Sequence, residues 1–156
     1  MHFAGRTWRP PYEAHSVIIQ ATSGCTYNQC TFCSLYQNEC FRMSPLSEFE
    51  EDLAEIKRYQ PNARRIFWTG ANPFAMSYEN LRLRALTVRD YLIKCQTMAM
   101  FASIRDIKDK EVWQSPLTRS HCSLTRGFMK WQDRDCLSLP EKKSVFVNCR
   151  LSLTTL

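Results

Sequence analysis

"SVIIQATSGCTYNQCTFC", residues 16–33, joins a short apolar, β-branched run to three cysteines within nine positions. Residues 16–22 read as a buried strand, because an apolar run of this length bounded by Ser23 and Gly24 is too short for a helix. Cys25, Cys30 and Cys33 follow at once, separated by four residues and then by two, in an otherwise polar loop.

Working outward, the next stretch "SPLSEFEEDLAEIKRYQPN" (residues 44–62) carries Leu46, Phe49, Leu53 and Ile56 at three- and four-residue spacing, one apolar helical stripe. Its start is expected either at a Ser47–Glu50 capping box or with Ser44 as the cap and Pro45 in the first turn. Acidic residues gather early in it and Lys57 and Arg58 late, as the helix dipole favours, and Pro61 ends it. "RRIFWTG" (residues 64–70) reads as a second strand, residues 77–94 as a second helix with Leu81, Ala85, Val88 and Leu92 on one face, and "TMAMFAS" (residues 97–103) as a third strand. Residues 107–114 begin a third helix. The order is βαβαβα, which predicts an α/β fold of parallel strands joined by helical crossovers.

After Gln114 this pattern stops. Residues 115–156 offer one clear strand, "SVFVN" (144–148), and no amphipathic helix of ordinary length. The chain has 156 residues and a net charge of +6. Residues 1–113 hold 14 Lys/Arg against 12 Asp/Glu, and residues 114–156 seven against three, so most of the excess lies in the tail. It is not interleaved with aromatics along one face, and a nucleic-acid partner is not expected from it. No stretch approaches the roughly 18–20 apolar residues needed to cross a bilayer, so no membrane is expected as a partner. The first 15 residues lack the apolar segment of a secretory signal, and cytoplasm is the expected compartment.

In a reducing compartment, clustered thiols point to metal or redox chemistry before a disulfide framework. Three readings of the loop are open. Buried free cysteines can act as small hydrophobes. Cys30 and Cys33 can form a zinc half-site that Cys25 and Cys40 complete, giving a structural zinc-binding interaction module with weak nucleic-acid affinity. Or three thiolates on one loop can hold three irons of a [4Fe–4S] cluster and leave the fourth open to a ligand. The loop leaves the C-terminal end of a strand, where parallel α/β architectures collect reactive groups.

The strand followed by "GCTYNQCTFC", within "WRPPYEAHSVIIQATSGCTYNQCTFCSLYQNECFRM", resembles the radical S-adenosylmethionine (radical SAM) superfamily, in a branch with four residues rather than three between the first two cysteines. The likeness covers about residues 6–113. It implies that residues 16–114 are the first three βα units of a partial (β/α)6 TIM-like barrel, preceded by an extension over residues 1–15. It implies that Cys25, Cys30 and Cys33 hold a [4Fe–4S] cluster shielded by Phe32. Its open iron would take S-adenosylmethionine, whose one-electron cleavage gives methionine and a 5′-deoxyadenosyl radical that abstracts hydrogen from a substrate.

The same likeness places cofactor contacts at Gly70 and Asn72, after the second strand, and at Ser103 and Arg105, after the third. Asn72 stands where the family more usually has an acidic residue. Cys40 and Cys95 are expected to be non-ligands, and an electron donor such as a flavodoxin or ferredoxin is implied. The resemblance assigns no residue to substrate chemistry. Three βα units are legible where the family has more, and the later ones complete the adenosine pocket. The tail therefore reads as a truncated chain continued out of frame, or as a short variant completed by a partner chain.

Overall fold

In the computed structural model, the described residues are 1–103 apart from 32 and 38, residue 106, and the backbone of residues 151–152. Three parallel strands form the centre. β1 is Val17–Gln20, β4 Arg65–Thr69 and β5 Thr97–Met100, with two short strands, β2 (Thr22–Ser23) and β3 (Arg42–Met43), between β1 and the first helix. That helix, α1, is Leu46–Tyr59, and α2 is Tyr78–Tyr91. β1 pairs with β4 in parallel from Val17↔Ile66 to Gln20↔Thr69, and β4 with β5 from Arg65↔Thr97 to Trp68↔Met100. The registers bring the C-terminal ends of all three strands to one rim. A two-residue strand, β6 (Leu151–Ser152), adds antiparallel to β5. The sheet is mixed α/β, as the alternation of elements predicts, with this antiparallel strand as an addition.

Side chains alternate across a strand, so each strand feeds two faces. Ile19, Ile66, Trp68, Met98 and Met100 form one core with Phe49, Leu53 and Ile56 of α1 and Val88 and Leu92 at the end of α2. Both helices therefore cover the same face. The Phe49 and Trp68 rings meet edge to face, with centroids 5.7 Å apart, the arrangement that ring quadrupoles favour. On the opposite face Phe67, Ala99 and Phe101 are buried with Ile18 against them. Burial on both faces explains why the strands read as continuous apolar runs.

Local capping is overridden by tertiary contacts. α1 starts at Leu46 with Pro45 as its cap residue, and no side chain caps it. Neither expected cap forms at Ser44 or Ser47. The Ser44 N–H instead donates to Ala21 O at 3.0 Å, and its carbonyl accepts from the Arg84 guanidinium of α2. Arg84 is 2% exposed, also bonds Asn80 Oδ1 at 3.2 Å and lies over the Phe49 ring. It ties α2 to the return limb of the cysteine loop. At α2 itself the Ser77 side chain accepts from the Asn80 N–H, a regular cap.

The first strand is shorter than the sequence suggests, because the chain leaves the sheet at Ala21 and enters β2. Residues 1–15 pack on the domain. Gln20 exchanges two side-chain hydrogen bonds with the backbone of Ala4, and fully buried Glu13 receives both Nε and an Nη of Arg65. The expected third helix (107–114) and the strand at 144–148 lie outside the described residues. Among the described residues, no helix is long and apolar enough to cross a membrane.

Candidate functional site

The cysteine loop grows from the end of β1 and is closed at its base. β2 and β3 pair antiparallel through Thr22↔Met43 and Ser23↔Arg42, and two residues further out Cys25 and Cys40 form an isolated bridge of parallel sense. Between them Gly24 adopts φ +67°, and a Cβ there would run into the Cys40 carbonyl. Only glycine takes that backbone at no cost and permits so close an approach. Further along, Asn28 (φ +46°) sends its side-chain N–H to Glu39 O at 3.3 Å, a second clasp across the loop.

Within the loop, the Cys33 N–H donates to Cys30 O at 3.3 Å, turning the chain so that these two cysteines sit on one bend. Cys25, Cys30 and Cys33 are all free and half-buried. Burial pushes the Cys30 thiol up first, and the neighbouring charges of Cys25 and Cys33 add to that. Each of these causes disfavours the thiolate. Tyr36 is buried nearby, and burial followed by Glu39, Cys25 and Cys33 drives its phenol up to about 12. Among the described residues, no three His, Cys, Asp or Glu side chains are gathered tightly enough to hold a metal ion.

The rim around the loop is organised by Asn72. This buried side chain donates to the Thr26 hydroxyl at 3.1 Å and to the Asp106 carboxylate, and its carbonyl accepts the Ser103 N–H at 3.3 Å. Ser103 Oγ donates to the same Asp106 oxygen and accepts the Asp106 N–H at 3.1 Å. One amide thus joins the loops that follow β1, β4 and β5. Gly70 (φ +124°) lies beside this network, and its missing side chain is filled by Thr22 of β2.

The structure therefore brings together Cys25, Cys30 and Cys33 on one loop, and Asn72 with Ser103 on the adjoining rim. Phe32 and Arg105 lie outside the described residues. Cys40 is exposed and beside Cys25, whereas Cys95 is buried at the opposite end of β5, its thiol pushed up by burial and directed at Thr97 O. Two site residues escaped the sequence reading. Tyr36 looks like any loop aromatic. Asp106 was marked by the Ser103-x-x-Asp106 spacing, a capping pattern whose bonds form here in part.

The three thiols are free, and Cys25 and Cys33 are near enough to add to the upward push on Cys30, but they are not gathered into a metal-holding group. No family model, no curated protein and no solved structure matches the chain.

Proposed function

We propose that this chain carries a radical SAM core in which Cys25, Cys30 and Cys33 hold a [4Fe–4S] cluster. The observation that carries the reading is the placement of the three free, half-buried thiols on a single loop leaving the C-terminal end of the first parallel strand. Its strands add in one direction from β1 through β4 to β5, with both helices on one face. Addition of this kind agrees with the first units of a partial (β/α)6 barrel, and equally with one half of a doubly wound sheet, so the barrel rests on the resemblance. The buried second face, with Ile18, Phe67, Ala99 and Phe101, then corresponds to a barrel interior.

When bound, the cluster and S-adenosylmethionine would supply one-electron cleavage of the sulfonium and a carbon radical for hydrogen abstraction. The chain's own residues bind and orient. Gly24 and the Cys25–Cys40 bridge hold the base of the loop, and Asn72 fixes Thr26 to the rim. The resemblance assigns Phe32, Gly70, Asn72, Ser103 and Arg105 to the cofactor position. Asp106, held by Asn72 and Ser103, provides a carboxylate at a rim where the turn after β4 has none. A cytoplasmic setting with a flavodoxin- or ferredoxin-like electron donor belongs to the same reading.

The Cys25–Cys40 bridge favours a second reading, a four-thiolate zinc site in an interaction module. The two part on Cys40. After anaerobic reconstitution with iron and sulfide, metal and sulfide content is measured for the wild type, Cys40→Ala and Cys25→Ala. The cluster reading expects about four irons and four sulfides in the first two and a large loss in the third. Failure to retain sulfide, with zinc bound tightly and lost in Cys40→Ala, establishes the zinc site instead.

A further inference from the structure

We infer that Cys25 and Cys40 form a thiol-oxidation site, a pair that closes to a disulfide in exchange with a small-molecule disulfide such as oxidised glutathione. The observation is geometric. The two residues are partners in a backbone bridge that lies on the register line of Thr22↔Met43 and Ser23↔Arg42. Although this bridge is of parallel sense, neighbouring bridged backbones lie about 4.7–4.9 Å apart, inside the roughly 4.4–6.8 Å between Cα atoms that a disulfide spans. The β2–β3 pairing, the close packing of Gly24 on the Cys40 carbonyl and the Asn28 bond to Glu39 hold the two limbs side by side without any metal. Both sulfurs are free, and Cys40 is exposed where Cys25, Cys30 and Cys33 are half-buried.

That difference in exposure sets the order of events. The Cys40 thiolate attacks one sulfur of oxidised glutathione, breaking its S–S bond, releasing one glutathione thiolate and leaving a mixed disulfide on Cys40. The Cys25 thiolate then attacks the Cys40 sulfur, forms the Cys25–Cys40 bond and expels the second glutathione. The protein loses two electrons and two protons, and oxidised glutathione takes them up as two thiols. Cys30 and Cys33 are the competing pair, since two intervening residues also permit a disulfide. They lack the exposed entry point, and Cys30 and Cys33 lie on a bend of their own rather than across two zipped limbs.

The pairing of the two limbs needs no metal. Its regulatory consequence rests on the cluster reading: oxidation withdraws Cys25 from the ligand set, and reduction returns it. Metal-free wild-type protein is equilibrated in glutathione redox buffers, blocked with an alkylating reagent, cut with chymotrypsin and mapped by mass spectrometry. The sequence suits this, because Tyr27, Phe32, Tyr36 and Phe41 place the four loop cysteines on four separate peptides. The expected result is a Cys25–Cys40 linked peptide at least several-fold more abundant than the Cys30–Cys33 one. A dominant Cys30–Cys33 link overturns the inference, as does a stable glutathione adduct on Cys40 with no link to Cys25. Because no iron is present, neither outcome depends on the cluster reading.

Discussion

Asn72, just beyond the end of β4, donates its side-chain amide to Thr26, the residue after Cys25, at 3.1 Å. Its other contacts reach Ser103 and Asp106, so one buried amide couples the cysteine loop to the ends of the next two parallel strands. Asn72→Ala leaves the part-buried Ser103 N–H and the Asp106 carboxylate without this partner. Such losses cost about 1–3 kcal/mol. Urea denaturation is expected to show that decrease together with faster loss of iron from reconstituted protein; unchanged stability would mean the network is not formed in solution.

Gly24 packs against the Cys40 carbonyl at φ +67°. In Gly24→Ala the methyl group meets that carbonyl and the backbone adopts a region that L-residues enter at a cost of roughly 1–2 kcal/mol, before any displacement of Cys40. The melting temperature is expected to fall, and Cys25–Cys40 cross-linking by a short bifunctional thiol-alkylating reagent to drop. A variant that melts and cross-links like wild type contradicts the packing described.

The Tyr36 phenol gives a pH dependence with a definite sign. Burial raises it from an ordinary value near 10 to about 12. Folded protein therefore holds this proton where the unfolded chain has lost it. The stabilisation is fully present below about pH 10 and is lost as the pH rises through about 12. Denaturation midpoints measured between pH 9 and 12 in wild type and Tyr36→Phe isolate the effect, because every other alkaline group is common to both. The variant is expected to lose less stability across the window. At neutral pH it should be no less stable, since the Tyr36 hydroxyl is buried with no hydrogen-bond partner among the described residues. Parallel pH profiles would refute the assignment.

Glu13 is fully buried and its carboxylate accepts two hydrogen bonds from Arg65, whose guanidinium is held above its usual range chiefly by that bond. Removing one partner of a buried pair strands a charge, at about 3–5 kcal/mol in fully buried cases. Arg65 is 37% exposed, so water compensates in part and the cost of Arg65→Met is expected at or below the lower end of that range. Double replacement, Glu13→Leu with Arg65→Met, should recover part of it. A single replacement with no effect on the denaturation midpoint would show that residues 1–15 do not dock.

What the sequence revealed follows from what periodicity can see. Phe49, Leu53 and Ile56 were legible as a helix because burial of one face imposes a local repeat, and Ile19, Trp68 and Met100 as strands because burial of both faces gives short continuous apolar runs. The cysteine loop was legible from spacing alone. The contacts that organise the site were not. Ser44 gives its carbonyl to Arg84, 40 residues away, and Asn72 reaches Thr26 across 46. Such pairs leave no repeat, and they override local preferences such as the expected cap at Ser44. Nothing local marks Glu13 as a buried carboxylate, since its partner Arg65 lies 52 positions away.

The central claim is that three cysteines leave one iron open to S-adenosylmethionine. The measurement that tests it most directly is EPR of anaerobically reconstituted, dithionite-reduced protein with and without S-adenosylmethionine. The account predicts a [4Fe–4S]⁺ signal whose g-values shift when the cofactor is added, and whose signal is lost in Cys25→Ala. A cluster signal indifferent to the cofactor, or no cluster where zinc binds tightly, would contradict it.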